Sequence, residues 1–510
     1  MAHSVNGDRE KEQTVYASAA HIVGTRRIHG VTTTSYEQFC PGDTRQLVTI
    51  RPPGEPWHID AAVTTAKEAF PAWARLTPMD RARFVARTVE LMREKAPQIA
   101  ALMRLEAGKP IHEAQGEVTK GIQVLEWASG IGFRLGGITR SGEGGAVEIW
   151  TRRHPLGVVG LITPYNFPFA VPLWKIGPAL VAGNTIVLKG SEHTSAMTTM
   201  IADLFTEAGL PPGVLNVIQG GREVVEPLVV HPDISAISFT GSNAVWYAIH
   251  RLMAAQRRNI IPCQAELGGN NALYVSDQAD IPLAVAAVMV GKFGSAGQRC
   301  TATQRVIVQR AVWLAFRRQL EIALGKLEVG LSDDPNVKTM GPVIHDQHLQ
   351  KLLRLATVLD HGDTSLWGGF DMQVPPGREH GYFMAPTVIL NTSSVSPLWR
   401  EEVFGPILVV RVVDSFDVAI RAVNDSEYGF SAAIFSENRR ELQRFRDEAQ
   451  VGMIHFNEGT PGGEPQCDFG GWKATGVGLR EMGDEGVQFF TRSQTLFNSS
   501  ATTGAKPAGR

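Results

Sequence analysis

"LGVVGLITPYNFPFAVPLWKIGPALVAGNTIVLKG", residues 156–190, decides the fold. It opens on a β-rich run, "LGVVGLIT" (156–163), passes through a Pro-flanked turn, and continues as a helical segment stopped by Gly183. "NTIVLK" (184–189) is then a second strand. The same rhythm carries on: a helix through "TSAMTTMIADLFTEAG", a strand in "GVLNVIQG", a short helix in "REVVEPLVVH", a strand in "AISFTG" (236–241), and a helix in "SNAVWYAIHRLMAAQ". Strands separated by helices of this length require right-handed crossovers and a parallel sheet buried on both faces. Ligands of such sheets bind beyond the carboxyl ends of the strands.

Outward from this core, residues 58–105 have helical period and a glycine stop, predicting a helical layer. A second α/β stretch spans about 270–470, with strands in "RVIVQ", "ILVVRVVDS" and "GMIHFN" and helices in "AVWLAFRRQLEIALGKL" and "FDVAIRAVNDS". Two such lobes predict a cleft between them. "AVEIWTRRHP" (146–155) and "VQFFTRSQTLF" (487–497) alternate like edge ribbons, fit to pair with each other and with a neighbouring subunit. Residues 1–20 and 500–510 read as loose, polar tails.

Composition removes several function classes. The 49 basic and 51 acidic residues nearly cancel and form no basic run, which argues against nucleic acid. No apolar stretch reaches the roughly 18 residues of a membrane span, and the polar N-terminus carries no signal-like apolar segment. The four cysteines, Cys40, Cys263, Cys300 and Cys467, are scattered, without disulfide or zinc spacing, so a cytoplasmic location is expected. His345 and His348 have the spacing of a metal pair but open a predicted surface helix, so a solvated face is expected and no metal.

No GxGxxG follows a strand: "SGIGFRLGG" (129–137) follows a helical run, and "TGVGLREMG" (475–483) is equally out of context. "FTGS" (239–242) instead ends a strand on Gly241 and opens a helix on Ser242, the arrangement that exposes backbone N–H groups to phosphate. At a neighbouring strand end, "LKGSE" offers Lys189 and Glu192 to a ribose. A carboxylate on the ribose hydroxyls repels a 2′-phosphate and so favours NAD over NADP.

Four further motifs occur in order: "TPYNFP" (163–168), "ELGG" (266–269), "GQRCTA" (297–302) and "EEVFGP" (401–406). With "FTGS" and "FGGWKATGVG" (469–478), they resemble the aldehyde dehydrogenase superfamily from about residue 30 to 498. The resemblance implies an α/β protein of two parallel-sheet lobes, a Rossmann-like cofactor lobe and a catalytic lobe, plus a small β oligomerisation ribbon. It assigns residues 1–137 and 156–266 to NAD binding, 267–475 to catalysis, and 138–155 with 486–499 to the ribbon of a homodimer or homotetramer.

By this resemblance Cys300 is the thiol that attacks an aldehyde, Glu266 the general base for the thiol or the deacylating water, and Asn166 the oxyanion donor, aided by the Cys300 N–H. The thiohemiacetal would pass hydride to the nicotinamide, and water would hydrolyse the thioester. A free thiol ionises at about pH 8.5, so the site is expected to favour thiolate. Thr163, Pro164, Lys189, Glu192, Gly241 and Ser242 match cofactor contacts, Glu402 the carboxylate on the nicotinamide ribose, and Phe404 the ring near the nicotinamide.

Phe167, Val171, Trp174, Arg299, Thr301, Phe456 and Phe469 match the substrate funnel. Their apolar character favours an apolar or aromatic aldehyde. Arg299 beside the thiol and the "EPQCDFGGWKATG" loop pull toward the alternative, a semialdehyde carrying a carboxylate. Rivals are a non-catalytic structural member, opposed by the intact Cys300, Glu266 and Asn166, and a coenzyme A-acylating enzyme, opposed by Glu266. Three departures from the family pattern stand out. Gly190 follows Lys189, Asn270 and Asn271 follow "ELGG", and Trp246 replaces a helix glycine where its ring is expected to crowd the adenine side. Cys467 is expected at the substrate mouth.

Overall fold

The computed structural model describes residues 16–29, 35–143, 147–357, 363–368, 377–390 and 393–499. Of the tails assigned to residues 1–20 and 500–510, residues 1–15 and 500–510 lie outside them. Residues 17–20 are not loose, since Ala17–Ser18 pairs as a strand and Ala19 and Ala20 are buried at the start of the strand Ala20–Val23.

The opening stretch forms the strand Val158–Ile162, the helix Ala170–Ala182 and the strand Thr185–Lys189. Both strands are buried throughout, as a sheet covered on both faces requires. Gly183 ends the helix in the left-handed region (φ 100°), with its N–H returned to the last turn. Five parallel strands, in spatial order Cys263–Glu266, Ile234–Thr240, Val158–Ile162, Thr185–Lys189 and Leu215–Val217, make the centre of an eight-stranded sheet. Its edges are antiparallel: Ala20–Val23 and Arg26–His29 on one side, Gly476–Val477 on the other.

The expected helical layer is three helices, Pro56–Arg75, Pro78–Glu94 and Ala96–Ala107, followed by a fourth, Ile111–Ser129. This fourth helix lies flush on Ala170–Ala182 because glycines face the contact. A Cβ on Gly121 would stand 2.6 Å from the Phe169 ring, and one on Gly177 2.6 Å from the Ala128 methyl. That close approach later brings its side chains to the site.

The second lobe is a seven-stranded sheet, parallel except for the edge strand Thr364–Trp367, with Asn271–Val275 and Thr303–Gln309 at its middle. Each sheet packs on its own apolar core. The ribbon forms as expected within the chain: Thr491–Ser499 pairs antiparallel with Val147–Pro155, which also pairs with Thr139–Ser141. Residues Gly483–Phe489 are a helix, so the ribbon strand begins a few residues later than its alternation suggested. No helix among the described residues is long and apolar enough to cross a membrane.

Candidate active site

Both lobes wall one cleft of about 570 Å³. It is lined by Asn166, Phe167, Glu266, Cys300, Glu402, Phe404 and Phe469, among others, so motifs far apart in the chain converge on it.

Cys300 sits between the 3₁₀ turn Gly294–Gly297 and the strand Thr303–Gln309. In that turn Ser295 and Ala296 both adopt φ 52°, ψ 32°, a left-handed conformation that is costly for side chains with a Cβ. The loop is therefore held from outside. Asn271 Nδ2 donates to the Cys300 and Ala302 carbonyls, each at 2.8 Å, while its Oδ1 accepts the Ser431 N–H. Asn270 Nδ2 donates to the Trp399 carbonyl at 2.7 Å. The two asparagines after "ELGG" are thus clamps on the thiol loop and its neighbour. Gly269 is required beside them, since a Cβ there would stand 2.2 Å from the Cys300 carbonyl oxygen.

Burial, and then the carboxylates of Glu402, Glu266 and Glu481, push the Cys300 thiol well above its usual range. These groups act against the expected thiolate, so a base must take the proton as the thiol reacts. Glu266 ends the buried strand Cys263–Glu266, and its Oε2 has no hydrogen-bond partner. Burial and the nearby Glu481 raise its carboxyl well above the ordinary value, with Lys175 and Arg480 opposing. Behind it lies a largely buried network that sequence reading missed. Lys175 Nζ bonds Glu481 and donates to Ser238 Oγ at 2.8 Å, and Thr240 Oγ1 donates to Glu481.

Asn166 is buried in the turn before helix Ala170–Ala182 and donates one N–H to the Gln298 carbonyl at 3.0 Å, tying its turn to the thiol loop. Its amide carries a second N–H, as an oxyanion donor needs.

On the cofactor side, Pro164, Gly241, Ser242, Glu402 and Phe404 line the cleft. Ser242 caps the helix Asn243–Gln256. Glu402 accepts the Gly269 N–H at 2.9 Å and is raised by burial to about 7, with Lys351 and Lys292 opposing. Phe404 is in the left-handed region (φ 55°), and His348 Nε2 donates to its carbonyl at 2.7 Å. Thr163, Lys189 and Glu192 do not line the cleft itself. Thr163 is buried with its Oγ1 unpartnered, Lys189 is buried at the next strand end, and the Glu192 carboxylate is 41% exposed. Gly190 lies close against Thr198, where a Cβ would meet Thr198 Oγ1 at 2.0 Å. A nucleotide fits this end: a capped helix start for phosphate, two carboxylates for ribose hydroxyls, and an unused buried hydroxyl.

Phe167, Val171, Trp174, Arg299, Thr301 and Phe469 all line the substrate side, with Trp174 and Phe469 rings 5.2 Å apart. Phe456 does not. It ends the sheet-edge strand Met453–Phe456 with its ring 42% exposed, outside the cleft. Trp246 is also corrected. It is 2% exposed in the core beneath the cofactor lobe, 5.7 Å from the Phe239 ring, and leaves the adenine side uncrowded. Cys467 is exposed and outside the lining. His345 and His348 are not a solvated face: both line the cleft, and burial lowers His348 to about 4. No metal-binding group occurs among the described residues. Lys120, from helix Ile111–Ser129, also lines the substrate side; a single lysine on a helix carries no motif to flag it.

Residues 29–496 match the model of the aldehyde dehydrogenase family. This chain belongs to that family. An alpha-ketoglutaric semialdehyde dehydrogenase of Bacillus subtilis (strain 168) is 37% identical over 458 residues, covering 90% of this chain and 93% of that one. The solved methylmalonate-semialdehyde dehydrogenase of Oceanimonas doudoroffii superposes with TM-score 0.89 at 33% identity, covering 96% and 99% of the two chains. A Sinorhizobium meliloti 1021 chain solved with NAD superposes with TM-score 0.90 at 28% identity, covering 98% and 99%. The protein is thus an aldehyde dehydrogenase of the kind that uses NAD or NADP and acts on a small aldehyde.

Proposed function

We propose that this aldehyde dehydrogenase oxidises a short aldehyde carrying a carboxylate to the corresponding diacid, with NAD as acceptor. The observation that carries the substrate class is a pair of cations at the substrate end, Lys120 and Arg299. Arg299 is already engaged, with Nε on Ser295 Oγ at 3.2 Å and Nη2 3.8 Å from Glu113. Among the described residues Lys120 has Glu464 at 3.8 Å as its ion-pair partner, and it is the freer of the two to meet a carboxylate. The names of the two semialdehyde dehydrogenases above support the same reading. The aromatic wall of Trp174 and Phe469 supports an apolar aldehyde as the second reading.

In this mechanism Glu266 takes the Sγ proton as Cys300 adds to the carbonyl carbon. The oxygen that becomes negative is held by Asn166 Nδ2 and the Cys300 N–H. The Gly241–Ser242 turn, Glu192 and Glu402 would hold NAD, which would supply the hydride acceptor. Once that first proton has passed to solvent, Glu266, raised by its dry site, draws a proton from the water that cleaves the thioester and returns it to the departing Cys300 sulfur. Glu192 favours NAD over NADP by repelling a 2′-phosphate. We assign residues 1–137 with 156–266 to the cofactor, 267–475 to catalysis, and the ribbon, with Phe497 71% exposed, to a homodimer or homotetramer. The unpaired cysteines suit a reducing cytoplasm.

The experiment is NADH formation against carboxylated, aliphatic and aromatic aldehydes, with and without coenzyme A. A carboxylated aldehyde should lead in kcat/KM, independent of coenzyme A, and Lys120→Ala should raise its KM about tenfold while sparing unsubstituted aldehydes. Equal preference for an alkyl aldehyde of the same length would overturn the substrate class.

A further inference from the structure

The thiol loop and the oxyanion turn come from different lobes, and catalysis needs them registered to a fraction of an ångström. Two carboxylates one turn apart on helix Ile111–Ser129 reach one each. Glu113 Oε1 accepts the N–H of Ser295, the left-handed residue of the thiol loop, at 2.7 Å, and lies 3.8 Å from Arg299. Glu117 Oε1 accepts the N–H groups of Phe169 and Ala170 at 2.9 and 3.1 Å, fixing the end of the turn that carries Asn166 and Phe167. Its other oxygen pairs with buried Lys109, whose ammonium sits 4.0 Å from the Phe167 ring centroid.

We propose that Glu113 and Glu117 are positioning residues that together set the distance between the Cys300 thiol and the Asn166 amide. The helix is a ruler: its rise separates the two carboxylates, and the glycine contacts that press it onto Ala170–Ala182 fix where the ruler lies. Charge-assisted bonds to backbone N–H groups suit this role, since they are short, strong and directional. Glu113 also offsets the cost of the left-handed Ser295, so the loop keeps a conformation that it would otherwise leave.

This inference rests on the site roles proposed above, and the test separates the two. Four single variants, Glu113→Ala, Glu117→Ala, Glu113→Gln and Glu117→Gln, are compared with Cys300→Ala for kcat, for NAD affinity by fluorescence, and for the rate of Cys300 alkylation by iodoacetamide. Both alanine variants should lose about 10- to 100-fold in kcat, with NAD affinity within about twofold of wild type. Glu113→Ala should also change the alkylation rate, because it frees the thiol loop. Glu117→Ala should leave that rate unchanged, because it frees only the oxyanion turn. The glutamine variants keep an acceptor oxygen and should recover kcat to within about fivefold. If an alanine variant does not fold, the aspartate variant, one methylene short, must show the same loss. Wild-type kcat in both alanine variants, equal alkylation changes in both, or glutamine variants as impaired as alanine would overturn the inference. Full turnover by Cys300→Ala would instead overturn the site roles themselves.

Discussion

The two ends of the cleft are built differently. Around Cys300 the chain is locked: Asn271 holds two carbonyls, Glu113 holds a strained N–H, and Asn166 bonds across to Gln298. At the adenosine end, the Glu192 side chain is 41% exposed and, among the described residues, touches no backbone N–H of the kind that holds the thiol loop; its nearest ring nitrogen, on His193, is 4.0 Å away. The chemical end needs fixed geometry, because a misplaced donor stabilises nothing. The ligand end needs only complementary charge and room. Substitutions should therefore cost orders of magnitude at one end and small factors at the other.

The largest effect tests the locked end directly. Cys300→Ala should remove NADH formation by about 10⁴-fold or more, checked by steady-state assay at saturating aldehyde. Next, Asn166→Ala should lower kcat by about 10²–10³-fold while leaving the KM for NAD nearly unchanged; an equal rise in that KM would blur the contrast between the ends. A third test uses pH. Burial and Glu481 raise the Glu266 carboxyl, and the base must be ionised to work. Activity should therefore fall on acidification well above the ordinary carboxylate range of about 4.3. The acid limb should vanish from the kcat profile of Glu266→Gln, which keeps only residual activity. The smallest effect belongs to the open end: Glu192→Ala should relax the NAD preference by about tenfold or less, read as the ratio of kcat/KM values for NAD and NADP. A tenfold NADP preference in the unaltered enzyme would count against that carboxylate altogether.

Legibility in the sequence follows the same division. The strand–helix alternations of 156–256 and about 270–470, and the two alternating runs at 146–155 and 487–497, are written in local hydrophobic period, so both sheets and the ribbon pairing could be read from them. Cys300, Glu266 and Asn166 lie in short motifs and meet in the cleft. What could not be read is whatever depends on which way a side chain turns. Trp246 goes inward to Phe239, and Phe456 faces out from a sheet edge. The Lys175–Glu481 pair and Glu113–Ser295 join positions 306 and 182 residues apart, and no local pattern marks such a partnership. The upward push on the Cys300 thiol likewise comes from burial and then from carboxylates on three separate segments.

The strand that carries Glu266 receives its outer neighbour, Gly476–Val477, only from near the end of the chain, and Asn184 donates to the Phe490 carbonyl from the first lobe. The ribbon likewise waits for Thr491–Ser499. On a ribosome emitting the chain from its N-terminus, the first sheet stays open along one edge until almost every residue has emerged. Assembly is therefore a late, non-local event, slow by the standards of its many helices and exposed to aggregation meanwhile.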